Sequence, residues 1–199
     1  MQPTLRDNLA FIANWVRPGA RVLDLGCGDA ALLAYLQNTQ GCRGYGLDIA
    51  DDNIATGVAK GLAVIQWDLN QGLGLFEDNA FDVVLQLESL QAVQAVEMLL
   101  REMARVGREV IVSFPNFGYW SHRWQLLLGR MPVSKSLPYQ WFDTPNIRCA
   151  TLSDFPDLAR KVGLTVIEQV ALHEGKPIHW LPNLRGSVAV FRLRRTDPQ

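Results

Sequence analysis

The chain has 199 residues, of which 48% are hydrophobic and 20% charged, which is enough for one domain with a core and is typical of a soluble globular protein. Its formal net charge of −1 excludes the strong positive field that would attract nucleic acid or an anionic membrane. Three cysteines without metal-binding spacing, no long apolar run, and the early charges Arg6 and Asp7 predict a cytoplasmic protein with reduced thiols, no secretory signal and no membrane span.

An amphipathic helix is predicted at the start of the chain. Thr4 is its predicted N-cap, and Pro18-Gly19 ends it. The apolar residues at helical spacing are Leu9, Ile12, Ala13 and Val16. We expect this helix to pack at the edge of a sheet, close to the segment that follows.

A strand, a glycine turn and a helix come next. Residues 21–25 read as an apolar strand, Gly26 and Gly28 form a tight turn, and residues 30–36 predict a helix. Glycine has no Cβ to block a ligand, and the N–H groups of the helix start face it. The pattern therefore predicts a nucleotide-binding corner, although an ordinary strand-to-helix turn is the simpler alternative.

Asp24 separates two classes of ligand for this corner. The spacing Gly26-x-Gly28-x-x-Ala31 fits the dinucleotide fingerprint, but a carboxylate two residues before the first glycine would repel a pyrophosphate. The same carboxylate suits S-adenosylmethionine (SAM), which carries an ammonium group and a sulfonium cation and no phosphate. Asp48 ends a second strand about 20 residues beyond the glycines, where an acidic side chain accepts hydrogen bonds from ribose hydroxyls.

Helices and strands continue to alternate up to residue 114. Further strands are predicted at residues 62–66, 81–85 and 110–114, and helices begin at Asp51 and after residue 92. Residues 70–79 read as a loop, and Glu97 with Arg101 forms a predicted outward i,i+4 pair. This alternation predicts an α/β fold with a parallel sheet and right-handed crossovers.

The pattern changes in the last third of the chain. Residues 152–162 predict a helix with Ser153 as N-cap, and two β-rich segments follow at 165–167 and 187–191. The chain from Arg194 onward is expected to fray. Between these parts, residues 114–147 are dense in aromatics and proline and are called the Pro/aromatic segment below. This composition favours either a rigid connection packed on the core or a lid or partner surface.

The glycine corner resembles the first motif of class I SAM-dependent methyltransferases, an apolar strand and an acid before G-x-G. Asp24, Gly26 and Gly28 match it, while Ala30 departs from the third glycine that many members carry. The resemblance implies that Asp48 binds the ribose, that Asp68 accepts from the adenine amino group, and that Trp67 or Leu69 covers the ring. The predicted cofactor site is Asp24, Gly26, Cys27, Gly28, Asp48, Ile49, Trp67, Asp68, Leu69 and Gln86.

The same resemblance implies an α/β, Rossmann-like class I methyltransferase sheet, mostly parallel with an antiparallel last strand and with helices on both faces. Residues 1–199 are expected to form a single SAM-binding domain with an insertion at about 114–147. A methyl acceptor would approach from residues 86–91 and 114–116. The Asn/Asp-Pro-Pro-aromatic motif of amino methylation is replaced there by Leu87-Glu88-Ser89-Leu90. Glu88 is either a base or a solvated carboxylate, so no catalytic residue is predicted.

Two runs are far more specific than the glycine motif: FPNFG at 114–118 and LPYQW-x-DTPN at 137–146. Over nearly its whole length the chain resembles the methionine biosynthesis protein MetW family. Tyr119 departs from an expected histidine, and Leu87-Glu88 departs from more polar residues. The resemblance implies SAM or S-adenosylhomocysteine (SAH) as the cofactor, a role in bacterial methionine biosynthesis, and homoserine O-acyltransferase as a partner whose activity the protein supports.

Three functions compete at this point. The leading hypothesis is a SAM-sensing partner of homoserine O-acyltransferase, and the second is an active methyltransferase for a small molecule or a protein. The third, a dinucleotide-dependent oxidoreductase, is disfavoured by Asp24. We predict no metal site and no nucleic-acid or membrane partner, and we assign no role to the three histidines.

Overall fold

The computed structural model describes residues 5–196, which contain eight strands and seven α-helices. The strands are β1 (Arg21–Leu25), β2 (Arg43–Asp48), β3 (Val64–Gln66), β4 (Phe81–Leu87), β5 (Gly107–Pro115), β6 (Leu164–His173), β7 (Lys176–Ile178) and β8 (Val188–Arg195). The helices are α1 (Asp7–Ala13), α2 (Ala31–Gln40), α3 (Asp51–Ala59), α4 (Val96–Val106), α5 (Trp120–Leu127), α6 (Phe155–Lys161) and α7 (Pro182–Arg185).

All eight strands lie in one sheet in the order β3-β2-β1-β4-β5-β8-β6-β7. The pairs among β1 to β5 are parallel, whereas β8 is antiparallel to both β5 and β6. This confirms the predicted mostly parallel sheet with an antiparallel last strand. Because β1 and β4 are neighbours while β2 and β3 extend the other way, the chain reverses its direction of winding beside β1, and the carboxyl ends of β1, β2 and β4 meet there.

Helices cover both faces of the sheet, as predicted. Successive strand residues point to opposite faces, so Leu23 and Val84 belong to one hydrophobic cluster and Val22 and Val83 to the other. The first cluster is completed by α4 and α6 through Leu99, Leu100, Met103, Phe155 and Ala159. The second is completed by α1 and α2 through Ile12, Leu32, Leu33 and Leu36. Strands buried on both faces explain the near-continuous apolar runs of the sequence.

Several predicted boundaries are wrong for identifiable reasons. The helix after β4 begins only at Val96, because residues 90–92 form a 3₁₀ turn of their own. Glu97 does not pair with Arg101. It bonds Lys161 of α6 at 2.6 Å, while Arg101 donates to the carbonyls of residues 161 and 162. Tertiary partners at the end of α6 have replaced the local i,i+4 pair.

The predicted termini also change. Thr4, the predicted cap of α1, lies outside the described residues, and the helix ends at Ala13, before Pro18. The last long helix begins at Phe155 after Asp154, so Ser153 is not its N-cap. The expected fraying is wrong for Arg194 and Arg195, which still belong to β8, since Arg194 and Arg192 both bind the buried carboxylate of Glu109. Residues 197–199 lie outside the described residues. These two ion pairs hold β8 against β5.

Asn116 anchors the segment that leaves the sheet after β5. Its side chain is fully buried, and its oxygen accepts from the backbone N–H groups of Gly118 and Leu152, both at 3.1 Å. Its amide nitrogen donates to the carbonyls of Asn183 and Gly186 at 3.0 and 2.8 Å. The asparagine of the FPNFG run therefore joins its own turn to the residues before α6 and to α7, and its side chain has no hydrogen-bonding capacity left for a ligand.

Candidate functional site

The glycine turn after β1 leaves open space above the backbone. Gly26 and Gly28 have φ of +66° and +56°, and a Cβ added to Gly28 would meet no heavy atom within 4 Å. At Gly26 a Cβ would come within 2.7 Å of the Ser89 hydroxyl oxygen. Gly26 therefore allows Ser89 to approach, while Gly28 keeps a place for a ligand. Ala30, the position where a glycine was expected, also lies in the left-handed region at φ 56°.

Asp24 places a carboxylate beneath this turn. The residue is 4% exposed, and no hydrogen bond to its side chain occurs within residues 5–196. Burial, and then the negative charge of Asp48, raise the pKa of Asp24 to about 7. A cation placed beside the two carboxylates would favour the ionised form of Asp24. The corner is thus suited to a positively charged ligand and unsuited to a phosphate.

Asp48 ends β2 and organises the turn from the opposite side. Its Oδ2 accepts from the N–H of Gly28 at 2.8 Å, and its Oδ1 accepts from the N–H of Ala50 and the amide of Asn53, both at 3.0 Å. A carboxylate has about four acceptor positions, so one remains for a ligand hydroxyl. Asp48 therefore has a structural role that sequence reasoning missed, besides its predicted role at the ribose.

The predicted adenine side lies beyond β2 and β3. Ile49 is 65% exposed beside Asp48, whereas Trp67 and Leu69 are partly buried against the core. The indole nitrogen of Trp67 donates to the carbonyl of Gly72 at 2.8 Å. The Oδ1 of Asp68 accepts from the backbone N–H and from the side-chain amide of Asn70, both at 2.9 Å. Of the predicted apolar contacts, Ile49 is the one with a free side-chain surface.

Gln86 and Cys27 complete the corner. Gln86 is fully buried at the end of β4 and donates to the Ser89 hydroxyl at 2.7 Å, while its Oε1 has no partner within the described residues. Cys27 packs over Gly46 of β2, and burial together with Asp24 and Asp48 raises the pKa of its thiol to about 12. Cys27 is therefore a neutral packing residue and not a nucleophile.

Glu88 directly follows β4, on the side where a methyl acceptor was expected to approach, and its backbone conformation is unusual. Its φ of 53° is rare for a residue with a side chain, and such strain concentrates at functional sites. Asn8 donates to its carboxylate at 3.1 Å, and the exposed guanidinium of Arg6 lies 3.5 Å from it. Glu88 is therefore a carboxylate partnered by Asn8 and Arg6 in this structure.

Two cavities adjoin this junction, and neither is lined by Asp24 or Asp48. A cavity of about 1110 Å³ is lined by Glu88, Ser89 and Tyr139, among others, and therefore opens beside the glycine corner. A second cavity, of about 640 Å³, is lined mainly by apolar side chains from α4, α6 and the segment after β5, including Tyr139 and Trp141. Gln91 lines both cavities.

Metal-ligand groups and helices that could cross a membrane are both absent from the described residues. Within residues 5–196 no group of three or more His, Cys, Asp or Glu side chains could hold a metal ion. In the same part of the chain, no helix has both the length and the apolar character that crossing a membrane requires. His122 lies buried between the carbonyl of Asn116 and the hydroxyl of Ser134, where burial lowers its pKa.

The family of this chain follows from comparison with known sequences. The methionine biosynthesis protein MetW family matches residues 6–193. The chain belongs to the MetW family. A relative from Rhodopirellula baltica, the bifunctional methionine biosynthesis protein MetXA/MetW, is 36% identical over 98% of the chain. The chain spans 33% of that relative's length, so it corresponds to one part of a longer protein.

Solved structures give this MetW-family chain its fold. A SAM-dependent methyltransferase from Mesorhizobium loti superposes with a TM-score of 0.69 at 18% identity, covering 94% of the chain and 96% of the neighbour. The magnesium protoporphyrin IX methyltransferase of Synechocystis PCC 6803, solved with bound SAH, gives 0.67 at 18% identity, with 96% and 83% covered. The predicted class I methyltransferase fold is confirmed.

Proposed function

We propose that this MetW-family chain binds SAM or SAH in the corner between β1, β2 and β4 and acts in methionine biosynthesis by regulating homoserine O-acyltransferase. The observation that carries the cofactor assignment is the buried carboxylate of Asp24, which has no hydrogen-bond partner in residues 5–196 and lies below an open glycine turn. A cationic ligand without phosphate fits that combination of charge and space.

Each residue of the corner would contact a different part of the cofactor. Asp24 would attract the ammonium group, Gly28 would allow the close approach, and Asp48 would accept from one ribose hydroxyl through its remaining acceptor position. Ile49 and Asp68 would border the adenine. When bound, SAM supplies an electrophilic methyl group on a sulfonium cation, and Gln86 with its unpartnered oxygen lies in the same corner.

The partner assignment rests on different support. A MetXA designation and a MetW designation occur together in the name of one relative, which supports a physical association between the two functions. Homoserine O-acyltransferase is the partner that the family resemblance implied. Because SAM lies downstream in methionine metabolism, its occupancy would report sufficiency to an enzyme near the start of the pathway.

An active methyltransferase is the second candidate. The two cavities beside Ser89 and Gln91 favour it, because they offer room for an acceptor next to the corner. A radiolabelled methyl-transfer assay against cell extract distinguishes the candidates, since a regulator that only senses SAM transfers no label.

Calorimetry with SAM and with NAD tests the cofactor proposal. SAM should bind and NAD should not.

Asp48→Ala should weaken SAM binding at least tenfold, since a hydrogen bond to a charged group contributes about 1.5–3 kcal/mol. Asn53→Ala removes a partner of Asp48 but keeps the carboxylate, so it should weaken binding less. Thermal unfolding of each variant shows how much the substitution changes the stability of the fold itself. SAM affinity unchanged in a folded Asp48→Ala protein removes the ribose assignment, and NAD binding in place of SAM overturns the proposal.

A further inference from the structure

The exposed apolar side chains of the molecule are concentrated on α5 and just after it. More than half of the large hydrophobic side chains that are exposed within residues 5–196 fall between residues 119 and 142. Five of them recur at the spacing of one helical stripe and are 54–75% exposed: Trp120, Trp124, Leu127, Leu128 and Met131. The first four are called the α5 face below. Exposed apolar side chains that cluster in this way mark a site where another molecule binds.

The inward side of α5 is polar, which reverses the usual arrangement of a surface helix. His122 is fully buried and bonds the carbonyl of Asn116 and the hydroxyl of Ser134. The amide of Gln125 bonds both backbone groups of Val133, donating at 3.1 Å and accepting at 3.0 Å. Hydrogen bonds therefore hold this helix in place, and its apolar side chains remain available to a partner outside the chain.

The segment that carries the α5 face is positively charged. Residues 110–142 contain three Lys or Arg residues and no Asp or Glu, although the whole chain has 19 basic and 20 acidic residues. Arg123 lies one turn before Leu127 on α5, and Arg130 directly precedes Met131. Both arginines are exposed, and neither forms an ion pair within residues 5–196. A complementary occupant would therefore present an apolar surface rimmed by carboxylates.

Two other occupants fit this charge pattern less well. In a symmetric dimer the same patch of both copies meets, so Arg123 and Arg130 would face like charges on a second copy of the chain. An anionic bilayer is recognised by clusters of about four to eight basic residues. This segment offers Arg123 and Arg130 for that purpose, since its Lys135 pairs with Glu174 at 3.0 Å. The face therefore favours a folded protein partner.

We propose that the α5 face is the docking surface for homoserine O-acyltransferase, which covers it with an apolar groove rimmed by carboxylates. The surface assignment rests on the proposed function, which names this partner without a surface. Met131 continues the stripe to the rest of the Pro/aromatic segment, because it lines the cavity of about 640 Å³ together with Tyr139 and Trp141. Tyr139 also lines the cavity that Ser89 lines next to the glycine turn. A partner bound at α5 would thus lie close to side chains that reach the cofactor corner.

Opposite charges at one position test this surface. Leu127→Glu and Leu127→Lys remove the same exposed apolar side chain and introduce charges of opposite sign. By titration calorimetry with purified homoserine O-acyltransferase, Leu127→Glu should weaken association by at least about 30-fold, because it loses apolar contact and repels carboxylates, and Leu127→Lys by about fivefold. Val58 on α3 is 60% exposed and lies outside the segment, so Val58→Glu is the control and should leave association unchanged. Association of the native chain should also weaken as salt rises from about 50 to about 500 mM, since salt screens charge pairs.

The outcomes separate this surface from the proposed function. Each variant should fold by circular dichroism and bind SAM as the native chain does, and Trp124→Ala provides the same test if Leu127→Glu does not fold. A native chain that does not bind the acyltransferase would overturn the partner and the surface together. Native-like association of folded Leu127→Glu, or equal losses in the Glu and Lys variants, would overturn the surface alone.

Two further measurements distinguish the other occupants. Sedimentation of the native chain should show no dimer that Leu127→Glu dissociates, and flotation should show no binding to vesicles of phosphatidylserine and phosphatidylcholine. A dimer lost in Leu127→Glu would assign the α5 face to a second copy of the chain. Vesicle binding lost in the same variant would assign it to a membrane, and either result would overturn the proposal.

Discussion

At the scale of single residues, Asp24, the carboxylate proposed to attract SAM, destabilises the ligand-free fold near neutral pH. The carboxylate is buried beside Asp48 without a hydrogen-bonding partner among the described residues, which raises its pKa from 3.8 to about 7. Between these two values the folded chain keeps a proton that the unfolded chain has lost. The contribution of Asp24 to the free energy of unfolding is therefore most favourable at low pH, falls as pH rises toward 7, and stays low above it.

Asp24→Asn should accordingly stabilise the ligand-free protein above pH 7. The gain at pH 8 is at most about 4 kcal/mol, from roughly three pKa units at 1.36 kcal/mol each. The same variant should bind SAM more weakly, because it lacks the charge that attracts the ammonium group. Urea unfolding at pH 8 and pH 4 checks the first expectation and calorimetry the second. A gain that is equal at both pH values would show that ionisation of Asp24 is not its cause.

SAM affinity of the native chain should depend on pH through the same carboxylate. A cation binds the ionised form of Asp24, so affinity should rise as pH increases through about 7 and level off above it. Binding should release protons near pH 6, which calorimetry in buffers of different ionisation enthalpy measures. The Asp24→Asn protein is the control and should show neither effect.

Residue types at the cofactor corner were predictable, and their partners were not. Asp24, Gly26, Gly28 and Asp48 were expected from their spacing to lie close together, because the unit from β1 through α2 to β2 determines their placement, and Gly28 does bond Asp48. The hydrogen bond between Gln86 and Ser89 spans three residues, yet sequence alone did not select it. The left-handed backbone at Ala30 was indicated only by its departure from glycine in the resemblance.

At the scale of elements, the loop after β5 explains why FPNFG is specific. Gly118 lies so close to Asn183 that an added Cβ would come within 2.4 Å of its side-chain oxygen. Asn116 binds four backbone groups, one in its own turn, one before α6 and two at α7 and its C-terminal end. This motif is therefore a structural joint that carries the Pro/aromatic segment, and sequence reasoning placed it only at the acceptor side.

Asn116→Ala should destabilise the protein by about 3 kcal/mol or more, because four buried backbone groups lose their partner. Asn146→Ala is the matched control, since the Asn146 side chain makes no hydrogen bond within residues 5–196. It should change stability by less than about 0.5 kcal/mol. Thermal and urea unfolding measure both variants. Similar losses in the two proteins would contradict the joint assigned to Asn116.

Helix α5 was missed although its sequence carries a helical signal. Trp120, Trp124 and Leu127 recur at i, i+4 and i+7, and the structure leaves all three exposed along one face of the helix. Its N-terminal part is held instead by His122 and by Arg123, which donates to the carbonyl of Gly118 at 2.6 Å. These bonds tie the start of α5 to the turn immediately before it, and the hydroxyl of Ser134, which bonds the His122 ring, adds a contact from the segment that follows the helix.

At the scale of the whole molecule, the Pro/aromatic segment lines a cavity that is also lined by Ser89, next to the glycine turn. Tyr139, Trp141 and Phe142 are all exposed, Trp141 and Phe142 each by 70%, which favours a lid or partner surface over a connection packed on the core. Tyr139 lines both cavities, one of which reaches Ser89 beside Gly26. A change at the corner could therefore reach this surface through a short path of side chains, which is the arrangement that a sensor of SAM requires.

The partner proposal is tested most directly at Trp141. Its ring packs edge-on against Phe142 with centroids 5.7 Å apart, which presents a large, fixed aromatic surface to solvent. Such residues dominate interfaces, so Trp141→Ala should weaken association with homoserine O-acyltransferase by about 2 kcal/mol, or roughly 30-fold. SAM affinity should change little, because Asp24, Asp48 and Ile49 lie elsewhere.

Trp180 provides the matched control for this substitution. It is 67% exposed, similar to Trp141, but lies between β7 and α7 and stacks with Arg185. Trp180→Ala removes an equal aromatic surface outside the Pro/aromatic segment, so it should leave association unchanged. Pull-downs with purified acyltransferase and calorimetry with SAM should be run on both variants. If both lose association equally, the effect is not specific to this segment. If Trp141→Ala keeps the acyltransferase but loses SAM, the segment is a cofactor lid, since its aromatic surface then serves the ligand rather than the partner.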